Sequence, residues 1–193
     1  MNQLYAIPTA PQSCFEALGT APSNKCATPQ LSEIRQLILS DTDPATGQAL
    51  YKPSGDVSVE GSWTGVIDND AAAAAKRVTG SGDIPAGPET TVVVNGVPVP
   101  ITKERVINFD VVAFTDEQNE LFRKMQHGWR GFVWALTREG RIVGGETGID
   151  VQCTMCEPDY TRGNEAVKMW KIKLIWYAKI SPPDNASPFA VFN

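Results

Sequence analysis

Cys153-Thr-Met-Cys156 is the one short spacing in this chain that invites chemistry. Two cysteines three apart serve as a redox couple or as half of a zinc site, because the thiolate is both a nucleophile and a soft metal ligand. A redox couple normally sits at a helix N-terminus, where the backbone dipole stabilises the thiolate. Here the pair ends a strand-like pattern, and residues three apart on a regular strand point to opposite faces. Cys14 and Cys26 would have to supply the other ligands of a zinc site, and their separation is not that of a zinc knuckle. The spacing therefore reads as buried or inert thiols, with structural zinc and redox chemistry as the alternatives.

The remaining reactive residues give weaker signals. His127 is the single histidine, beside Gly128 at the end of a predicted helix. An imidazole there can interact with the helix dipole, so a capping or surface role is expected rather than catalysis. Gly144-Gly-Glu-Thr-Gly has the glycines of a phosphate loop but neither its Lys-Ser/Thr ending nor a following helix, and reads as a turn. Asp41-Thr-Asp and Asp68-Asn-Asp lack the later Gly and Glu of a calcium loop and read as turn and cap residues. No carboxylate pair stands out for glycoside chemistry. Trp63, Trp134, Trp170 and Trp176 fall on apolar strand faces, which makes packing the default. No catalytic residue, cofactor or metal site is expected.

The elements that would position these residues are mostly strands. Residues 1–30, with Pro8, Pro11, Pro22 and Pro29, read as an irregular arm. Leu31 to Leu39 reads as a first strand with imperfect alternation, a short helix being the alternative. A long loop runs from Asp41 to Gly55. Val57, Val59, Gly61 and Trp63 alternate as a half-buried strand, Asp68 to Lys76 reads as a capped short helix, and residues 79–89 read as a second loop. Asn95-Gly96 between valine-rich runs predicts a type I′ hairpin over Thr90–Ile101, placed at a sheet edge by Pro98 and Pro100. Its Val92, Val94, Val97 and Val99 occupy both faces, so with Asn95 and Gly96 they are the candidate self-association residues.

Arg105 to Phe114 reads as a core strand with Ile107, Phe109, Val111 and Ala113 inward. Thr115-Asp-Glu-Gln is a capping-box pattern for a helix running to about His127, with Leu121, Phe122 and Met125 inward and Gly128 as its stop. Strands follow at Phe132–Thr137, Ile149–Met155 and Lys168–Ile180. In the last, Trp170, Ile172, Leu174 and Trp176 share one face, while Lys171 and Lys173, which complete the candidate self-association set, face the other way, towards water, a lumen or a partner. The tail from Ser181 is expected to extend away from the body. The fold class is mainly β: one domain, an antiparallel β-sandwich or partly closed barrel with one flanking helix at about 115–127 and long loops.

Net charge bounds the partners. The chain carries a formal charge of −5, and no basic block occurs, so sequence-specific nucleic-acid binding is not expected. No apolar stretch is long enough for a membrane helix, and the N-terminus lacks the pattern of a secretory leader, so synthesis in a reducing cytoplasm and no membrane partner are expected.

The order of long loop, edge hairpin, strand, mid-chain helix and closing strands resembles phage tail tube proteins and type VI secretion tube subunits. The stretch from Ile107-Asn-Phe-Asp through Arg141-Ile-Val-Gly-Gly to Trp170-Lys-Ile-Lys-Leu also looks like virion proteins of phages infecting Bacteroidetes. This resemblance covers about half of the chain. It implies a non-enzymatic virion protein forming hexameric rings, stacked into a hollow tube beside other virion proteins, with DNA passing through the lumen. An acidic wall would let DNA slide without sticking. A capsid decoration or portal-ring protein is the alternative within that class, and a carbohydrate- or receptor-binding β-sandwich the alternative outside it. An enzyme ranks third, for want of a polar pocket.

Overall fold

The computed structural model describes residues 33–64, 75–85, 87–94, 97–160, 168–178 and 180–189. The arm 1–30, Cys14, Cys26, the Asp68-Asn-Asp cap and the Asn95-Gly96 turn lie outside the described residues. Strand dominates the described residues, which hold one α-helix, so the mainly β class holds. In chain order the elements are β1 (Ile34–Asp41), β2 (Ala75–Asp83), β3 (Glu89–Val94), β4 (Val97–Val111), α1 (Asp116–Met125), β5 (Arg130–Thr137), β6 (Arg141–Val143), β7 (Ile149–Tyr160), β8 (Lys168–Ala178) and β9 (Asp184–Ala186).

Six of these strands close on themselves. The order is β1-β2-β4-β8-β7-β5, every neighbour is antiparallel, and β5 pairs back onto β1. Closure requires a sheet to curl, and register shifts help it do so. One such shift falls at Arg35 in β1, between the pairs that flank it. A second device is the pair Gly80 and Gly82 in β2. A Cβ at either position would fall on the Phe109 ring and on the β4 backbone, so only glycine allows this close approach. The sequence reading placed these glycines in a loop over 79–89; they instead carry β2 through to Asp83.

Two apolar cores explain why β1 does not alternate cleanly. Leu37 and Leu39 point into the barrel with Val78, Ile107, Phe109, Val133, Leu174 and Trp170. Ile38 points outward and is equally buried, because the excursion 42–64 and the C-terminal segment cover that side. There Trp63 stands edge-on to Trp134 with centroids 5.5 Å apart, and edge-on to Phe189 at 5.7 Å, while Tyr51 stacks on Trp63. Each indole N–H is satisfied: Trp63 donates to the Val57 carbonyl at 2.9 Å and Trp134 to the Gly145 carbonyl at 2.7 Å.

Several expectations are corrected here. Residues 57–63 form turns and a 3₁₀ turn at Glu60–Trp63 rather than a strand; Val57 and Trp63 are buried by contact with the second core, without a strand partner. Ala75 and Lys76 belong to β2, so no helix reaches Lys76. β4 ends at Val111 and leaves Ala113 exposed. The segment after Ser181 does not extend away: β9 pairs with β6, and Phe189 is buried in the second core. Helix α1 is as expected. Thr115 Oγ1 accepts from the Gln118 N–H at 3.2 Å, and Gln118 Oε1 accepts from the Thr115 N–H at 3.1 Å. Phe122 and Met125 anchor it to the barrel core.

Candidate functional site

Strand β4 is longer than the barrel it serves. Its residues 103–111 pair with β8, whereas residues 97–102 pair only with β3 among the described strands. β3 in turn pairs with β4 and with no other described strand. The pair is therefore a two-stranded ribbon continuing past the barrel rim, with Val92 opposite Val99 and Val94 opposite Val97. Ribbons of this kind have little stability of their own, and an open edge offers unpaired N–H and C=O groups to another chain. Large apolar side chains are exposed on the ribbon and near the end of β8: Val92 at 46%, Ile101 at 49%, Tyr177 at 62% and Ile180 at 79%. Tyr177 sits opposite Glu104, and Ala178 opposite Lys103, which places the end of β8 beside the base of the ribbon.

The outer face of β8 is more committed than its sequence suggests. Lys171 Nζ lies 2.7 Å from Asp159 on β7, with the Asp110 charge also nearby, and these carboxylates hold its ammonium above the usual lysine range. It is half-satisfied within the chain rather than free for a neighbour. Lys173, opposite Asn108 on β4 and Met155 on β7, has no ion-pair partner among the described residues.

The cysteine pair is where the structure departs most from expectation. Cys153 lies opposite Leu174, Met155 opposite Lys173 and Cys156 opposite Ile172, so Thr154 is an extra residue in β7. A bulge shifts the alternation by one, and residues three apart then share a face. Both cysteines point into the barrel core, only 3% and 2% exposed, instead of to opposite sides. Thr154 Oγ1 donates to the Lys173 carbonyl at 3.3 Å and secures the bulge. The Cys156 thiol carries one proton: it donates to the Phe122 carbonyl of α1 at 3.3 Å or, turned the other way, to the Cys153 sulfur. That donation pulls the Cys153 thiol below its ordinary range, helped by the Met155 backbone. The Cys156 thiol is driven strongly upward by its hydrogen bond to Cys153, by burial and by the charges of Cys153 and Glu157.

A cleft of about 270 Å³ opens between the end of α1 and the bulge. Gln126 and Gly128 form its helix side, Met155 and Glu157 its strand side, and both cysteines line it. His127 follows α1 as an exposed residue and is not part of this wall. Asp43 serves its turn, with Oδ1 accepting from the Ala45 N–H at 2.9 Å and Oδ2 from the Thr46 hydroxyl at 2.8 Å. Gly144–Gly148 is a turn between β6 and β7 around the Trp134 indole.

No protein-family model matches this chain, and no curated protein sequence is significantly similar to it.

Proposed function

We propose that this chain is a structural virion protein, a phage tail tube subunit that self-assembles into stacked rings around a DNA conduit. The observation that carries this reading is the β3–β4 ribbon, which runs beyond the barrel with an open edge and with Val92 and Ile101 exposed along it. A ribbon on one subunit that adds to an open sheet edge outside the closed barrel of the next, such as β9, makes a head-to-tail contact between two different patches. Contacts of that type close into rings or run on as filaments. Strand addition supplies main-chain hydrogen bonds at an otherwise unprotected edge.

The barrel cannot itself be the conduit, because Ile107, Phe109, Trp170 and Leu174 fill its interior. DNA would pass between subunits, through the centre of a ring. The net charge of −5 suits such a channel, since an acidic wall repels phosphates. The sequence resemblance to tail tube subunits points the same way.

The test replaces the ribbon while keeping its base. Thr90 pairs with Thr102, so Asn-Gly in place of residues 91–101 closes a two-residue hairpin there. We expect rings or tubes from the unaltered protein in negative-stain images, and from the variant a monomer that keeps a β-type circular dichroism spectrum and a cooperative unfolding transition. An unaltered protein that sediments as a monomer at every concentration overturns the reading. Single rings that never stack would favour a portal or decoration role instead.

A further inference from the structure

We propose that Cys153 and Cys156 form a reversible dithiol–disulfide site, reached through the cleft beside Gly128 by small aliphatic disulfides of the glutathione kind. Three features of the fold carry this. The bulge at Thr154 turns both sulfurs to one side of β7. Both cysteines lie in the wall of the cleft, which brings it to that side of β7. The register also sets the backbone spacing. The two cysteines face Leu174 and Ile172, which are two residues apart on β8, so their Cα atoms are separated by roughly 7 Å. Disulfides bridge Cα separations of about 4.4–6.8 Å, so this pair sits at the outer limit. The bond can form with a small contraction of the bulge, and a bond made at that limit is readily reduced.

The chemistry balances as thiol–disulfide exchange. The Cys153 thiolate attacks one sulfur of the small disulfide, forms a mixed disulfide and expels one thiolate. Its negative charge is then gone, and with it the hydrogen bond to Cys153 and the charge repulsion that helped to hold the Cys156 proton, burial remaining. Cys156 loses that proton to solvent and attacks the Cys153 sulfur, expelling the second thiolate. The two cysteines are oxidised, the small disulfide is reduced to two thiols, and the two protons released end on those thiols. Oxidation also removes the S–H that Cys156 donates to Phe122, one of the ties between α1 and β7.

The test is a titration of the full chain against mixtures of reduced and oxidised glutathione, followed by rapid alkylation and peptide mass analysis. Cleavage after Arg141 and Arg162 releases both cysteines in one peptide. We expect that peptide to lose two hydrogens and escape alkylation in oxidising mixtures, and to return to the dithiol when reduced glutathione is restored. Cys156→Ser should hold glutathione on Cys153, and Cys153→Ser should accumulate at least about tenfold less adduct on Cys156, because a thiol kept protonated reacts slowly. The idea is overturned if the native peptide stays fully alkylatable in every mixture, or if the bond forms only once denaturant has unfolded the chain. Equal adduct on the two single variants also overturns it. The unaltered protein alone can decide, so a variant that fails to fold leaves the test intact.

Discussion

Inserting Thr154 into β7 without a partner on β8 turns Cys153 and Cys156 to the same side, and this makes two ordinary thiols unequal. Cys156 acts as donor and Cys153 as acceptor, so the negative charge is favoured on Cys153. Lowering a thiol's pKa raises its thiolate fraction at a given pH. The alkylation rate of Cys153 should therefore rise through its inflection at a lower pH than that of an ordinary exposed cysteine. Cys156→Ala removes the donor, and the inflection of Cys153 should move upward. Iodoacetamide rates measured against pH for Cys153 in both proteins check this. An inflection that stays in place in the variant would mean that the Met155 backbone, not Cys156, stabilises the thiolate.

Among the elements, β2 shows how backbone proximity rather than propensity decides a strand. Gly80 and Gly82 are poor strand formers, yet the Phe109 ring and the β4 backbone occupy the space where their side chains would be. Phe109 is almost fully buried and cannot swing away. Gly82→Ala should therefore force β2 off β4 at its short pairing, Ser81 to Asp83. Overpacking of this type costs about 1–3 kcal/mol. Urea unfolding should show a lower midpoint with an unchanged slope. A variant as stable as the unaltered protein would mean that β2 yields easily there and that the β2–β4 pairing matters little to closure.

For the whole molecule, the surface charge of β8 bears on assembly. Reversing Lys171 would set a new carboxylate beside Asp159 and near Asp110, which mixes an intrachain effect with any effect on a neighbour. Lys173 is the cleaner probe. Lys173→Glu should leave the circular dichroism spectrum unchanged, since surface changes away from packed features cost little. If β8 faces an acidic patch of the next subunit, the variant should assemble less, with the deficit shrinking as salt screens the charges. Sedimentation across a salt series measures this. Assembly identical to that of the unaltered protein at every salt concentration would take this face of β8 out of the interface and leave the ribbon as the contact.

The features legible in the sequence are those settled by neighbours a few residues apart. The capping box at Thr115 and Gln118, the hairpin joining β3 to β4, and the inward set Trp170, Ile172, Leu174 and Trp176 all follow from local hydrogen bonding or from strand alternation. Contacts distant along the chain decided the rest. The closed barrel buries the inner face of β1, the excursion 42–64 and the C-terminal segment bury its outer face, and its alternation is erased. Phe189 returns to a core built around Trp63 and Trp134, and no pattern near residue 189 announces it. The candidate thiol site shows the same division. The CxxC spacing was visible, but its geometry depends on where β7 carries one residue more than β8, and register belongs to a pair of strands. A single strand's sequence sets which residues alternate; only its partner decides where that alternation breaks.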